Sequence, residues 1–588
     1  MADPRHATCS HARPDPRKRP TQSRRSFLGR FGAVSAGVAL AGCDMPGVPG
    51  GQDPAPAPAP SAPPAEGGAP IIPIGGPPNT FGRLFDLPPF AEDSPALQEA
   101  LVDIGRPGGI MDANDDLSAG PIELITNPAL SANNPDNTSH GAGMTFIGQF
   151  IDHDLTRDLT SPLGVPAAPE DHRNGRMPAF DLDSVYSRGP QRDRQFYDPE
   201  DRIKLPVDTG GQFEDFARQE GRAIIPDARN DENLMLSGIH LATMLFHNKT
   251  VDQLRAAGGS DDQEVFAEAR RLTRWHYQWI VMNEVLPAYV GREQAIAALT
   301  RPNVFGNGRV LMPVEFQGAV YRFGHSMVRP SYRANLAGDN GEPFFGFIFD
   351  AEGGDSADPS DLRGGARAAR RFIDWQTFFD FGDGELKHNK LIDTTISSPM
   401  FNLPPLTIEL GPGAPLGPTS LAARNLLRHI TWEQPSGQAI ADELGVERVA
   451  PADLSDLADY ELGLEESTPL WFYALREAEI MADGLTLGPV GGQIIADCYV
   501  GFMLSDDNSY MAQDPDWTPT VDTRSGDPEG FDMVDFLTFA EVDPASRSAQ
   551  LGTPPVSDLS EPVSDLSEPV SDLSEPVPVE AEPVLAPL

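Results

Sequence analysis

The sequence predicts a mainly α fold, one large, loop-rich helical domain spanning about residues 80–545. Three observations predict it. Apolar residues recur at helical spacing, as Met144, Ile147, Ile151 and Leu155 do. No regular βαβ alternation is present, which argues against a doubly wound sheet. Long Pro-, Gly- and Asp-rich connections, such as 158–225 and 329–367, separate the helical runs and argue against a tidy bundle.

The elements follow in order. Residues 1–42 hold Arg24-Arg25 followed by Ser26-Phe27-Leu28, which resembles a twin-arginine export signal. The weakly apolar run 31–42 is too short to span a bilayer and ends in Leu40-Ala41-Gly42-Cys43, which resembles a lipoprotein cleavage box. The expectation is an exported protein, lipid-anchored through Cys43 at a bacterial cell envelope, in the periplasm or on the surface. Residues 43–79 are dominated by Pro, Ala and Gly and read as a semi-rigid tether. Helices are expected over 140–157, 232–256, 262–289, 314–328, 368–380, 420–428, 438–444, 470–483 and 489–503. Residues 546–588 read as a disordered acidic tail carrying SDLSEPV three times, at 557–563, 564–570 and 571–577.

Composition excludes several function classes. The formal net charge of −43 repels nucleic-acid phosphates, and no basic stripe offsets it. The three cysteines, Cys9, Cys43 and Cys498, form no CxxC pair, which argues against a cysteine zinc site and a disulfide framework.

Five segments carry candidate chemistry, and each alone is ambiguous. In "GQFIDHDLTRD" (148–158), Gln149 and His153 are four apart and share a helical face. In "PDARNDENLMLSGIHLATMLFHN" (226–248), Arg229 and Glu232 precede an apolar helix that Asp231 is placed to cap. His240 and His247, seven apart, read as packing residues, because metal pairs on one helix usually sit four apart. In "AVYRFGHSMVRPSY" (319–332), His325 lies in an apolar helix that Pro330 helps to end. There "GHSMV" nearly matches a nucleophile elbow at Ser326, but it lacks the final glycine and a preceding strand. The fourth segment is "SLAARNLLRH" (420–429). The fifth, "MPAFDLDSVYSRG" (177–189), alternates Asp181 and Asp183 like calcium ligands without an EF-hand pattern.

Taken in this order, with "RWHYQWIVMNEVLP", "PLWFYALREAEIMADG" and "LGPVGGQIIADCYVGFMLSDDNSY", the segments resemble the animal-type haem peroxidases of the peroxidase–cyclooxygenase superfamily over about 80–510. The resemblance implies an enzyme that reduces hydrogen peroxide on haem b and oxidises a small donor. It makes His325 the proximal iron ligand and Asn425 the acceptor for that ring's other N–H. It places Arg322 and Arg428 at haem propionates, which suit a guanidinium's planar fork. His153 matches the distal acid–base, Arg229 the distal cation, and Gln149 a residue that holds water or a small anion. Asp152 and Glu232 match the carboxylates that form ester bonds to haem. Asp154, Asp181 and Asp183 match a calcium site that ties the distal helix to a loop.

Two departures qualify the likeness. Asn233 follows Glu232 where a methionine would give a sulfonium link, which puts chloride oxidation in doubt and favours bromide, iodide, thiocyanate or phenols. "HITWEQPSGQ" replaces the family's usual run after the proximal asparagine. A fatty-acid dioxygenase or cyclooxygenase-like enzyme is the main rival. It would need a tyrosine three residues before His325, where Arg322 stands, with Tyr321 one step further back. A haem- or calcium-binding surface protein without turnover is the third reading.

Overall fold

The helix that carries His153 is set by what precedes it. Strand β1 (Asp136–Gly141) pairs antiparallel with β2 (His388–Lys390) and leads directly into helix α1 (Gly143–Leu155). The helix start is pinned by Ala142 N–H on the Lys387 carbonyl and Gly143 N–H on the Phe378 carbonyl, both at 2.9 Å. Within α1 every side chain is buried except Gln149 and Asp152. Gly148 is needed there, because a Cβ would meet the Tyr289 hydroxyl at 2.3 Å.

A computed structural model of the chain describes residues 74–75, 79–306, 310–353, 356–404 and 417–551. The expected export signal and most of the expected tether and SDLSEPV tail lie outside those residues. The described residues up to Asp543 form one compact unit, and those from Pro544 belong to a second. Pro544–Gln550 is helical and overlaps the first residues of the segment expected as an acidic tail from residue 546.

Helix α2 (Leu234–Ala256) is the central one: from Leu234 to Met244 every residue is buried. A helix that is apolar all round belongs in a core. Its cap is Asn233, whose Oδ1 accepts the Leu236 N–H at 2.9 Å, and not Asp231, which pairs with Arg218 at 2.6 Å. Helix α3 (Asp262–Ile280) is capped by Asp261 and packs along α2. It continues through a π-turn (Val281–Val285) into Leu286–Val290, which accounts for the helix expected over 262–289. Helices α4 (Leu421–Thr431), α5 (Leu470–Met481) and α6 (Pro489–Ser505) stand where helical periodicity placed them. The apolar core runs continuously from Phe81 to Val542.

Two expected helices are not found. The 314–328 run is a short helix, Val314–Gln317, followed by a 3-10 stretch, Val320–His325. Within 368–380 only Trp375–Thr377 is helical, as one 3-10 turn. Arg371 in that segment is buried and donates to the carbonyls of Pro359, Asp361 and Arg363, so tertiary bonds replace a local ladder.

Candidate active site

A cavity of about 1070 Å³, its mouth included, lies between α1 and the 320–325 turn. One wall carries Gln149, Asp152 and His153 of α1, with Glu232 and Asn233 at the start of α2. The i, i+3, i+4 spacing on α1 puts all three residues on one face. The opposite wall carries Arg322, Phe323, Gly324 and His325, and buried apolar side chains including Ile348, Met400 and Leu403 complete the lining. A Cβ built on Gly324 would meet nothing within 4 Å, so the backbone there opens onto free space. The volume, the apolar lining and a histidine on each wall fit a flat prosthetic group that one of those histidines would hold.

His153 is buried, and its Nδ1 lies 2.9 Å from Asn230 Oδ1. An amide oxygen accepts, so Nδ1 carries the proton and Nε2 keeps its lone pair. Burial, helped by the Arg229 charge, pushes the imidazole down to about 3, so the ring is neutral at neutral pH. Gln149 donates to Glu232 Oε2 at 3.2 Å and accepts from Asn233 Nδ2 at 3.0 Å, joining the two helices across the wall. Asp152 accepts from the Thr156 hydroxyl, and burial raises its carboxyl above the ordinary range.

Arg229 departs from its expected place. It is not among the residues lining the cavity. Its guanidinium grips Asp227 at 3.0 and 2.7 Å and donates to the His153 and Thr156 carbonyls at 3.2 and 2.8 Å. A cation at the last turn of α1 satisfies carbonyls that the helix cannot bond itself. Burial works against the Asp227 charge, but Arg229 and Arg176 outweigh it and hold that carboxyl well below its usual range.

His325 also has its Nδ1 on an amide, Asn425 at 2.8 Å, but the amide is turned the other way. Arg322 Nη1 donates to Asn425 Oδ1 at 3.0 Å, so the Nδ2 side faces the imidazole. Asn425 was expected to accept the ring's N–H; here it is the donor, because a guanidinium has no acceptor to offer the amide nitrogen. Burial and Arg322 push His325 down to about 3. Arg322 itself is lowered to about 10 by burial and by the charge of Arg428. Arg428, expected beside Arg322 at a propionate, pairs with Asp158 at 2.9 Å and is not among the lining residues.

Asp154, Asp181 and Asp183 come together, with one ligand oxygen each within 4.8 Å of the others. Asp154 is fully buried and accepts from Leu182 N–H at 3.1 Å, and Leu182 holds a left-handed φ of 57°. Burial raises all three carboxyls, Asp183 to about 7, and their mutual repulsion adds to the rise on Asp154 and Asp183. A hard divalent cation fits this donor set. Ser326 is buried, donates to the Asp393 carbonyl at 2.8 Å and accepts that residue's N–H at 2.9 Å, so it is no exposed nucleophile.

Sequence reasoning missed Asn230 and His240. Asn230 Nδ2 lies 2.9 Å from His240 Nδ1, so His240 belongs to the site's surroundings and is not a simple packing residue. The available signal was a polar ring inside an otherwise apolar run, since a buried histidine needs a partner. His247 does serve the scaffold: its ring bridges the Tyr186 hydroxyl at 3.0 Å and the Ile203 carbonyl at 2.8 Å.

Residues 195–343 match the animal haem peroxidase family, a stretch that holds Arg229, Glu232, Arg322 and His325. The chain is 32% identical over 111 residues to heme peroxidase 2 of Caenorhabditis elegans, covering 18% of this chain and 16% of that protein. It is 30% identical over 149 residues to chorion peroxidase of Aedes aegypti, covering 22% and 19%. The chain thus spans less than a fifth of the length of these curated relatives. Its fold is similar to that of peroxidase A from Dictyostelium discoideum, with a TM-score of 0.50 at 15% identity over 79% of this chain and 94% of that one.

Proposed function

We propose that this chain, a member of the animal-type haem peroxidase superfamily, holds haem b in the cavity and uses hydrogen peroxide to oxidise a small donor. The observation that carries the reading is a pair of imidazoles, His153 buried and His325 half-buried, lining one cavity and each tied at Nδ1 to an asparagine amide. Bound haem would supply the iron that takes peroxide oxygen and the oxidising equivalents passed to the donor.

The chain's own residues supply the rest. His153 takes the peroxide proton at Nε2 and returns it to the departing oxygen, and burial with Arg229 keeps the ring neutral for that work. Gln149 holds water or a small anion beside it. Arg229 acts from behind α1, orienting the last turn and contributing positive charge. His325 offers Nε2 to iron, which requires its proton on Nδ1 and the Asn425 amide turned to present oxygen. Arg322 must then release Asn425, and a propionate is a suitable competing acceptor, with Arg428 in support. Asp152 and Glu232 open on the cavity as the ester-forming carboxylates. The aspartate trio binds calcium and braces α1. Asn233 leaves no sulfonium link, so bromide, iodide, thiocyanate or phenols are the donors proposed.

Export and anchoring through Cys43 rest on the leader sequence. No helix among the described residues is long and apolar enough to cross a membrane. The decisive experiment is an absorbance spectrum of the purified, haem-supplemented chain before and after peroxide. The reading expects a Soret band that changes on addition; a chain that never acquires one sinks it. Haem that leaves freely in acid acetone counts against the esters at Asp152 and Glu232.

A further inference from the structure

His153 must present a lone pair to the cavity, and its tautomer is decided outside the cavity. Its Nδ1 meets Asn230 Oδ1 at 2.9 Å, and the other end of that amide, Nδ2, meets His240 Nδ1 at 2.9 Å. All three side chains are buried, with Asn230 fully so. An asparagine amide rotated by 180° has nearly the same shape, so packing alone does not choose its direction. Turned round, it would face His153 with its NH2, force the ring proton onto Nε2 and remove the lone pair from the cavity.

His240 grips the other end of that amide. Its Nδ1 accepts from the Asn230 amide, and its Nε2 is buried with no hydrogen-bond partner among the described residues. The ring stands nearly perpendicular to Phe216, with centroids 5.1 Å apart, and to Phe150 at 6.0 Å. A buried polar atom without a partner calls for a reason. We propose that Asn230 and His240 are positioning residues for His153: His240 holds the amide nitrogen, the amide oxygen therefore faces His153, and His153 is locked as the Nδ1–H tautomer with Nε2 bare. This rests on the haem reading, because only a peroxide-side base needs that lone pair.

The test is the infrared C–O stretch of the full-length, haem-loaded ferrous protein with carbon monoxide bound. A distal N–H that donates to the bound ligand lowers this frequency; a bare nitrogen does not. The native protein should give a high-frequency band. Asn230→Leu should add a low-frequency band and slow the peroxide reaction roughly ten- to a hundredfold, the usual scale for a lost partner behind a reacting group. His240→Phe keeps an aromatic ring between Phe150 and Phe216 but frees the amide, and should show both bands. Asn230→Asp retains an oxygen toward His153 and should keep the high band. A native band already at low frequency overturns the proposal, and so do bands that stay unchanged in both Asn230→Leu and His240→Phe. A native protein that forms no carbon monoxide adduct brings down the haem reading itself, and this proposal with it.

Discussion

The two walls of the cavity use the same pair of residues in opposite senses. On the α1 wall Asn230 turns its oxygen to His153; on the facing wall Asn425 turns its nitrogen to His325. The difference lies one residue further out. His240 accepts from Asn230, whereas Arg322 donates to Asn425. The proton position on each imidazole thus follows from which end of the amide meets it, and the two rings differ in exposure as well, His153 being buried and His325 half-buried. The backbones differ as well. His153 sits on a regular helix braced by Arg229 and the aspartate trio, while His325 ends a 3-10 stretch of six residues.

The largest expected effect breaks the comparison outright. His325→Ala should abolish haem retention; a normal Soret band in that variant would show the assigned wall to be wrong. Next, His153→Ala should keep haem but slow the peroxide reaction roughly 10²- to 10⁴-fold, the range of a lost general acid–base group. Stopped-flow rates equal to the native protein's would remove His153 from its role. Third, calcium chelation or Asp183→Asn should act on the α1 wall alone, slowing the peroxide reaction by roughly tenfold or more while haem stays bound. Haem loss in parallel would mean that the trio supports both walls.

The smallest effect concerns a buried histidine outside the cavity. Burial lowers His247 to about 4. Its folded value lies below the unfolded one of roughly 6.5, so the unfolded chain takes up a proton that the folded protein refuses. The stability His247 contributes is present above pH of about 6.5 and is lost as the pH falls toward about 4. His247→Phe should therefore cost most in urea midpoint near neutral pH, on the order of 2–3 kcal/mol, and progressively less near pH of about 4.5. Peroxide kinetics should not change. A penalty independent of pH would mean that only packing is lost.

Much of the fold was legible because periodic apolar faces report burial directly. The run 489–503 became Pro489–Ser505 and 470–483 became Leu470–Met481. The segment 368–380 was not legible, since its buried Arg371 bonds carbonyls 8, 10 and 12 residues back, beyond the reach of a helical ladder. The cavity-lining residues Gln149, Asp152, His153, Glu232, Arg322 and His325 could be named from ordered motifs. The withdrawal of Arg229 from the lining could not, because Asp227, the carboxylate that holds it, is as plausible a surface residue in sequence as any other aspartate. His240 looked like core for the same reason: sequence shows a polar residue in an apolar stripe but not the amide that meets it.

By itself, the sequence determined which residue types were available and, through helical spacing, that Gln149 and His153 share one face of a helix; that this face meets the start of α2 was implied only by the family resemblance. Tertiary structure alone decided which way each amide faces, where each guanidinium rests and which nitrogen of each imidazole is bare. Those choices depend on hydrogen-bond partners brought from 77 residues away for His153 and from 100 for His325. Spacing along the chain encodes faces of helices. It does not encode the donor or acceptor waiting at the far side of a fold.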